Sequence, residues 1–585
     1  MTKEEIKKIL EKVIIKQYPN FQSFEKEDTV IVVERPKEAS HGDYSTNIAL
    51  VLTKPLKKNP LEVAKKIKEG ISNKVFEKVE VAPPGFINFY LKKEFFVNNI
   101  KEVLKNKNFG KNNLLKGKKI IIEYTDPNIL KEFHIGHLMS NTIGESLSRI
   151  FEFNGASIKR MCYQSDVGLS IAKAVWGKVK NPNVSWQEAY VFGTKKYEES
   201  LAKKPASAES YGEAKEIIEL NKKIFERSDK SINSIYDAGK KWSLEYFGQI
   251  YKKLGTKFDD FIFESQVADY GKKIVEDGLK KGIFEKGDNG AVIFKGEKFG
   301  LHTRVFINSE ELPTYEAKEL ALAKEKYKKY KYNQSVVVTG NEINEYFKVL
   351  FSAMSQIFPD LAKKTKHIGH GMMRLPEGKM SSRTGKVVTF EFLLSEVEKK
   401  ILEKMESREI DRKEESLGSV QDRSEIIEKV AIGALKYSIL KQSIGSDIVY
   451  DFEKSISFEG DSGPYLQYSY ARANSVLEKS KAEKIKSDTN LRMTSEFTNE
   501  KTSGLEKMMV YFPEVVQKAG REYEPHVIVL YLTELAREFN NYYANNKIVD
   551  KADEFSPHRV ALTEAFSIIM KNGLWLLGID VLEKM

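Results

Sequence analysis

The sequence is poor in cysteine: Cys162 is the single cysteine among 585 residues. One thiol cannot form an intramolecular disulfide, and it excludes any zinc site that needs several cysteine ligands. Long hydrophobic runs are also absent, since no stretch approaches the roughly 20 apolar residues that span a bilayer. The first ten residues mix glutamates with lysines and lack the apolar segment of a signal peptide. We therefore expect a cytoplasmic protein without a membrane segment.

Neither sign of charge is scarce, but the balance is basic. Lys and Arg number 95 against 84 Asp and Glu, which gives a formal net charge of +11 and a pI near 9.0. A polyanionic partner agrees with this balance, and so does a lysine-rich surface that keeps the protein soluble. Charge alone leaves these two interpretations open. The length exceeds what one hydrophobic core supports, so we expect three or four domains.

The first part of the chain, about residues 1–112, has the pattern of a separate α+β module. Apolar residues recur at helical spacing in Ile6–Ile14, and strand-like runs occur at Val30–Val33 and Ile87–Leu91. The stretch 105–119 is rich in Asn, Gly and Lys and predicts a linker.

A pattern typical of a parallel α/β sheet begins after this linker. Lys118–Tyr124 is an apolar strand without alternation, and a helix is predicted from Gly136 to Phe153, ending at Asn154-Gly155. Ile158–Tyr163 is the next strand. Such a unit binds ligands at the carboxyl ends of its strands.

The α/β pattern is interrupted and then resumes. Residues of about 172–295 are highly charged and predict a helical insertion between two halves of the sheet. Further strands are predicted at Ser335–Gly340 and His367–Met372, and after about residue 391 the pattern is mostly helical.

The segment His134-Ile135-Gly136-His137 follows the first strand of the sheet and opens the next helix. Backbone N–H groups and the helix dipole favour anions there. Two imidazoles one turn apart can donate hydrogen bonds to phosphate oxygens, and Gly136 would let a nucleotide approach the backbone. The residues alone also allow a capping histidine beside a core histidine. Metal binding is a third alternative, but no nearby Cys or His completes a ligand set.

A second short motif, Lys379-Met380-Ser381-Ser382-Arg383, lies in a loop flanked by glycines. Lys379 could neutralise a departing pyrophosphate, while the two serines offer hydrogen-bond donors. Taken alone, the segment is better explained as a surface turn. Together with the histidines, in this order, it predicts a nucleotide site built from both halves of one fold.

The two motifs resemble the HIGH and KMSKS signatures of class I aminoacyl-tRNA synthetases, and the segments around them resemble the arginyl-tRNA synthetases. Segments similar to that family extend over nearly the whole chain: His41–Asn47, Pro84–Phe89, Glu123–Asn128, Lys131, Pro313–Glu319, Phe458–Gly460, Gly463–Tyr468 and Leu577–Asp580. Since the last segment also fits, we expect the C-terminus to be intact.

The resemblance implies an α/β fold: a Rossmann-type class I catalytic domain with a helical insertion, an N-terminal α+β domain and a C-terminal α-helical anticodon-binding domain. The expected borders are 1–112 for the domain that binds the tRNA D-arm, 113–390 for the catalytic domain, 391–460 for a connecting helical region and 461–585 for the anticodon-binding domain.

The same resemblance implies ATP-dependent ligation of L-arginine to tRNA(Arg) through arginyl-adenylate, with release of AMP and pyrophosphate. Mg²⁺ would arrive with ATP rather than occupy a protein metal site. The enzyme would be a monomer and would need bound tRNA before it activates arginine.

The implied site residues fall into four groups. The catalytic residues would be Lys131, His134, Gly136, His137 and Lys379, and ATP would also contact Ile135, Met380, Ser381 and Ser382. The residues that bind arginine would be Glu123, Asn128, Tyr315 and Glu319. The residues that contact tRNA would be Tyr44 and Asn47 at the D-arm and Tyr465, Tyr542 and Tyr543 near the anticodon.

Carboxylates suit arginine because its guanidinium group is planar and always charged, and it pairs with them in a fork geometry. Which carboxylate meets the guanidinium and which the ammonium stays open. Without the resemblance, charge alone favours a structural ion pair for Glu123 and a core position for Tyr315. Likewise, the aromatic stretch Phe539–Asn546 could either contact the anticodon or pack inward.

Two positions depart from the family pattern. Ser382 stands where the signature usually has a second lysine, and Lys131, just before the histidines, is where such enzymes carry a compensating lysine. Glu319 stands where the family often has Asp, so its carboxylate reaches one methylene farther.

Two rival functions remain. A class I synthetase for another amino acid, such as cysteine, is disfavoured by the lone cysteine and the missing zinc ligands. A tRNA-binding paralogue without catalysis is disfavoured by the intact histidine and lysine motifs.

Overall fold

The computed structural model describes residues 3–19, 21, 30–36, 38–72, 75–202, 212–375, 388–411, 420–488 and 502–585. Lys379, Met380, Ser381 and Ser382 lie outside these ranges, so the predictions for them stay predictions. Of the helices in the described ranges, none is long and apolar enough to cross a membrane.

The strands are β1 (Val33–Glu34), β2 (Tyr44–Thr46), β3 (Phe76–Ala82), β4 (Phe86–Leu91), β5 (Lys119–Tyr124), β6 (Ser157–Gln164), β7 (Asp260–Phe263), β8 (Glu285–Lys286), β9 (Val292–Phe294), β10 (Arg304–Ile307), β11 (Gln334–Gly340), β12 (Thr365–His370), β13 (Met373–Arg374) and β14 (Ile448–Val449).

The helices of the first two thirds are α1 (Lys3–Gln17), α2 (Ile48–Leu56), α3 (Pro60–Gly70), α4 (Lys93–Lys105), α5 (Ile135–Phe153), α6 (Leu169–Lys180), α7 (Trp186–Ala202), α8 (Gly212–Glu226), α9 (Lys230–Lys253), α10 (Glu264–Lys280), α11 (Tyr315–Tyr330), α12 (Asn344–Ile357) and α13 (Pro359–Lys364). They continue as α14 (Phe390–Asp411), α15 (Val420–Leu440), α16 (Phe452–Ser455), α17 (Gly463–Ala482), α18 (Gly504–Val510), α19 (Phe512–Glu522), α20 (His526–Asn545) and α21 (Ser556–Leu576).

A five-stranded parallel sheet, in the order β12-β11-β5-β6-β7, forms the centre of the protein. Its middle strand β5 is buried along Ile120–Tyr124, which explains why the sequence shows no alternation there. Helix α5 lies very close to β5, because a Cβ atom added at Gly144 would stand 2.2 Å from the ring of Tyr124. The predicted strand–helix–strand unit is confirmed.

The N-terminal module is α+β, as predicted. Its antiparallel sheet has the order β1-β2-β4-β3, and helix α3 packs on β3 and β4. The strand expected at Val30–Val33 is shorter, since only Val33 and Glu34 pair with β2.

The predicted insertion at 172–295 needs a correction. Helices α6 to α9 do occupy the first part of it, but Asp260–Phe263 returns to the main sheet as the edge strand β7, paired with β6. A small antiparallel sheet, β10-β9-β8, follows α10. The strand was missed because it is only four residues long and begins with an aspartate.

The C-terminal helices pack directly on the catalytic unit. The hydroxyl of Ser146 on α5 donates to the carbonyl oxygen of Leu576 on α21, at 2.9 Å. Arg149, also on α5, donates to the carbonyl oxygen of Trp575 at 3.0 Å. The helix that begins at the histidine motif is therefore fixed to the last helix of the chain.

Candidate functional site

A cavity of about 870 Å³ opens at the carboxyl edge of the parallel sheet. Its wall includes the ends of β5, β6, β11 and β12 and the first turns of α5 and α11. Two groups of side chains are central: the histidine pair, His134 and His137, and the acidic cluster, which we define as Glu123, Asp126, Glu264 and Glu319. One cavity therefore joins the two predicted halves of the site.

The histidine pair closes the N-terminus of α5 as a reciprocal cap. The backbone N–H of Gly136 donates to Nδ1 of His134 at 3.1 Å, and the backbone N–H of His134 donates to Nδ1 of His137 at 3.2 Å. The two rings stack with centroids 3.6 Å apart. A Cβ atom at Gly136 would stand 2.9 Å from the ring of His134, so the glycine first makes room for this cap.

The cap fixes the protonation of both rings. Because each Nδ1 accepts a hydrogen bond, each neutral ring carries its proton on Nε2. Burial and the nearby Lys131 cation lower the pKa of His134 to about 4, and burial with His134 lowers the pKa of His137 well below its usual range. At neutral pH both Nε2–H groups are therefore uncharged donors. The same two histidines can therefore cap the helix through Nδ1 and contact a ligand through Nε2.

Ile135 is buried and its backbone N–H donates to the carbonyl oxygen of Val388 at 3.2 Å. The backbone N–H of Phe390 donates to the carbonyl oxygen of Phe133 at 2.8 Å. On the other side of the Lys379 segment, Arg374 lines the cavity. Both flanks of that segment therefore lie at the site.

Lys131 lies in the connection between β5 and α5. Its Nζ atom stands 4.2 Å from the ring centroid of Tyr190 on α7. Its charge contributes to the lowered pKa of both histidines. The structure thus places this lysine in the electrostatic environment of the histidine pair.

Much of the negative charge around the acidic cluster is already neutralised. Glu123, only 1% exposed, pairs with Lys326 at 2.9 Å. Glu264 pairs with Lys318, and the neighbouring Glu316 pairs with Arg304 at 2.7 Å. The ion-pair alternative for Glu123 is therefore present in the structure, although its side chain also lines the cavity.

Glu319 and Asp126 differ from these carboxylates. Within the described ranges, neither forms an ion pair with a lysine, arginine or histidine. Burial and the charge of Glu123 raise the pKa of Glu319 to about 8, and the same two causes raise the pKa of Asp126 well above its usual range. Two carboxylates held in this way stabilise a ligand that brings positive charge.

Asn128 and Tyr315 both line the cavity. Tyr315 is 48% exposed, so it is not a core residue, and the Nζ atom of Lys318 stands 4.5 Å from its ring centroid. All four residues predicted to meet arginine are brought together here.

Several cavity residues were missed by the sequence analysis. Asp126 and Tyr163 follow or end strands of the parallel sheet, so the rule that ligands bind at carboxyl ends of strands could have found them. Glu264 directly follows β7, so the same rule covers it, but it was missed because that strand was missed. Arg304 and Tyr346 come from elements outside the rule and carried no signal.

The structure does not support base stacking by Tyr44. Its side chain is fully buried, its hydroxyl donates to Glu514 at 3.2 Å, and its ring packs edge-on against Tyr511. The N-terminal module docks on the C-terminal helices at this point. Asn47, in contrast, is half-buried, and its Oδ1 atom has no hydrogen-bond partner in the described part of the chain.

Some side chains of the predicted anticodon surface are buried in the core, and others are exposed to solvent. Phe539 is buried and stacks on Phe566, with ring centroids 3.9 Å apart. Tyr465 is also buried, and its hydroxyl accepts a hydrogen bond from Asn540 at 3.1 Å. Tyr542 is half-buried.

Tyr543 is exposed, and the guanidinium of Arg472 stands 5.0 Å from its ring centroid. The same guanidinium stands 4.6 Å from the ring of Tyr468. The exposed Tyr543, together with Arg472 and the half-buried Tyr468, is the part of this surface that a single-stranded base could reach.

A protein metal site is a separate question. In the described ranges, no group of three or more His, Cys, Asp or Glu side chains is arranged to hold a metal ion. The prediction that Mg²⁺ would come with ATP stays a prediction.

Three family models match separate parts of the chain. Residues 99–452 match the family model "tRNA synthetases class I (R), catalytic domain", and residues 466–585 match the "DALR anticodon binding domain". Residues 2–91 match the "Arginyl tRNA synthetase N terminal domain".

Full-length relatives agree with these matches. The chain is 30% identical to the arginine–tRNA ligase of Clostridium perfringens over 584 residues, which cover 98% of this chain and 99% of that protein. It is 32% identical to the arginine–tRNA ligase of Treponema denticola, with 95% of each chain covered.

A solved structure shows the same fold. The arginyl-tRNA synthetase of Thermus thermophilus superposes with a TM-score of 0.77 over 100% of both chains, at 21% identity.

Proposed function

Since the chain belongs to the arginyl-tRNA synthetases of class I, and is therefore an arginine–tRNA ligase that uses ATP, we propose that its large cavity is where arginine is activated. The observation that carries this proposal is that one cavity is lined both by the histidine pair and by two carboxylates, Glu319 and Asp126, that form no ion pair with any residue the structure describes. The first group suits phosphates, and the second suits a cationic amino acid.

Activation in this site forms one bond and breaks one. An oxygen of the arginine α-carboxylate attacks the α-phosphorus of ATP, arginyl-adenylate forms, and pyrophosphate leaves. The Nε2–H groups of His134 and His137 donate to phosphate oxygens as negative charge develops on them. Because both rings are held in one tautomer by their caps, no reorganisation is needed when the charge appears.

Two lysines supply positive charge in this proposal. Lys131 stands beside the histidine pair and compensates for the lysine that Ser382 replaces. Lys379 follows the pyrophosphate, with Met380 and Ser381 around the nucleotide. The described flanks of that segment, at Arg374 and Val388, support this assignment because both lie at the site.

The acidic cluster selects arginine. Glu319, supported by Glu123, binds a positively charged group of the substrate, while Asn128 and Tyr315 add neutral hydrogen bonds. Ionisation of Glu319 becomes favourable once the guanidinium or ammonium group stands beside it.

Transfer to tRNA follows in the same cavity. A hydroxyl of the terminal ribose attacks the carbonyl carbon of arginyl-adenylate, the ester forms, and AMP leaves. In this proposal Asn47 contacts the D-arm, and Tyr543 with its neighbour Tyr542 contacts the anticodon loop; Tyr465 acts from the core by holding Asn540.

The proposal also covers the metal ion, the oligomeric state, the cellular location and the need for tRNA. Mg²⁺ is held by the ATP phosphates, the enzyme acts as a monomer in the cytoplasm, and bound tRNA(Arg) is required for activation. Helix α5 supports the last point, since it joins the histidine pair to the last helix of the anticodon-binding domain.

Exchange of pyrophosphate into ATP, measured with each amino acid in the presence and absence of tRNA, tests the proposal. We expect exchange with arginine alone among the amino acids, and only when tRNA is present. Exchange with cysteine or another amino acid would contradict the assignment of the acidic cluster. Tight tRNA binding without any exchange would instead indicate a non-catalytic tRNA-binding protein.

A further inference from the structure

Asp126 belongs to the acidic cluster, but the proposed function assigns it no particular group of the substrate. It lies in the connection from β5 to α5, between the buried strand and the histidine pair. We propose that Asp126 binds the α-ammonium group of the amino acid and thereby turns the α-carboxylate toward the nucleotide. The inference rests on the proposed function of the cavity and assigns one end of the substrate within it.

The Asp126 side chain is held in place by one oxygen and offers the other. Its Oδ1 atom accepts a hydrogen bond from the backbone N–H of Tyr163 on β6, at 2.7 Å. Its Oδ2 atom has no hydrogen-bond partner among the described residues. A carboxylate fixed in this way loses little conformational freedom when a cation binds to its second oxygen.

The backbone that carries Asp126 is strained. Thr125 has φ of 82° and Asp126 has φ of 42°, a left-handed conformation that is costly for a β-branched residue such as threonine. Hydrogen bonds to α5 maintain it: Ser140 accepts from the backbone N–H of Thr125 at 2.9 Å, and Asn141 donates to the Thr125 hydroxyl at 3.0 Å. The same helix begins at the histidine pair, so Asp126 is fixed relative to the phosphate-binding group.

This placement favours the ammonium over the guanidinium group. The α-carboxylate must reach the α-phosphate, and the α-ammonium is attached to the same carbon atom. The ligand for the ammonium therefore belongs near the histidines, and Asp126 is the carboxylate of the acidic cluster that lies in the connection leading to them. Glu319 lies on a different element, α11, where it remains available for the far end of the substrate.

An independent observation indicates that this wall is built for a polar ligand. The hydroxyl of Tyr163, the residue whose backbone anchors Asp126, is buried and has no hydrogen-bond partner within the described ranges. Tyr163 is 6% exposed, lines the cavity, and lies in the field of Glu264 and Glu319. A buried hydroxyl without a partner costs free energy that a bound polar ligand recovers.

The test compares two ligands in one variant, Asp126→Asn. The amide keeps an oxygen for the N–H of Tyr163 but removes the negative charge. We expect KM for arginine in aminoacylation to rise by about tenfold to 100-fold, the usual effect of losing a hydrogen bond to a charged group. The competitive Ki of 5-guanidinopentanoate, which is arginine without its α-ammonium, should change less than about twofold, because this inhibitor cannot use Asp126.

Other results would overturn the inference. If neither constant changes, Asp126 does not contact the substrate. If both rise together, its role is structural or it meets the guanidinium.

The ratio of KM for arginine to Ki of the inhibitor is measured in one sample, so partial unfolding cancels, and Asp126→Ser provides a second variant. Asp277→Asn, an exposed carboxylate paired with Lys280, is the matched control and should leave the ratio unchanged. Should the wild-type protein fail to charge tRNA with arginine, the proposed function itself would fall.

Discussion

His134 caps helix α5 through Nδ1 and, in the proposed function, donates to phosphate through Nε2. Substitutions at this position can separate the two roles. Asparagine at this position keeps an oxygen near Nδ1, where it can accept the N–H of Gly136, but has no group at the position of Nε2. Glutamine reaches the position of Nε2 but lacks the short acceptor. The variants His134→Asn and His134→Gln therefore remove one function each, and His134→Ala removes both.

The magnitudes follow from the two roles. Loss of an N-terminal helix cap costs about 0.5–2 kcal/mol of stability, and asparagine is among the best caps. Loss of one preorganised donor to a developing oxyanion lowers the rate by about 10²–10³. We expect His134→Asn to melt with the wild type and to lose about 10²–10³ in the rate of adenylate formation. His134→Gln should melt earlier and retain more of that rate.

Single-turnover formation of arginyl-adenylate in the presence of tRNA gives the rate, and a thermal melt of the same preparations gives the stability. Because the protein has several domains, melting midpoints are compared without conversion into a free energy of unfolding. The reasoning would be refuted if His134→Asn kept a rate within twofold of the wild type. It would also be refuted if rate and melting temperature fell together in all three variants.

Three further predictions concern other residues. Lys131→Ala should lower adenylate formation sharply, by about 100-fold, whereas Lys131→Arg keeps the charge and most of the rate; near wild-type rates for the alanine variant would end this assignment. Because the pKa of Glu319 is about 8, arginine binding should release a proton below that pH, so KM for arginine should fall up to tenfold per pH unit as pH rises toward 8. Glu319→Gln should weaken this pH dependence and leave only the contribution of Asp126, and an unchanged slope would contradict the role of Glu319. Tyr543→Ala should raise KM for tRNA several-fold and leave KM for ATP unaltered in initial-rate measurements, and a normal KM for tRNA would remove Tyr543 from the interface.

The parts of the fold that local pattern determines could be predicted from the sequence. The strand at Ile120–Ile122 was predicted correctly because burial on both faces of a sheet requires a continuous apolar run. The end of the helix at Asn154-Gly155 was predicted correctly because these residue types commonly stop a helix. The position of the histidines at a helix N-terminus follows from the same strand and helix patterns.

Features that depend on distant segments could not be predicted in this way. Tyr44 is buried because Glu514 and Tyr511, nearly 470 positions away in the chain, cover it. Glu123 was identified, but its partner Lys326 lies 203 positions further on, so its neutralisation was not visible. That Glu319 forms no ion pair in the described part of the chain is likewise a property of the assembled cavity.

The edge strand Asp260–Phe263 was not predicted from the sequence, for a different reason. Among the strands that the structure describes, it pairs only with β6. Its four residues are too few for a periodic pattern to be recognised within a charged helical region. A short strand of this kind is defined by its neighbour rather than by its own residues.

The most direct test of the whole account is a structure of the full chain with a non-hydrolysable arginyl-adenylate analogue, an arginyl-sulfamoyl adenosine. We predict that the sulfamoyl oxygens lie within hydrogen-bond distance of Nε2 of His134 or His137, and that the positive groups of the arginyl moiety contact Glu319 and Asp126. An analogue bound with its guanidinium away from every carboxylate of the acidic cluster, or with its sulfamoyl group remote from both histidines, would contradict the account.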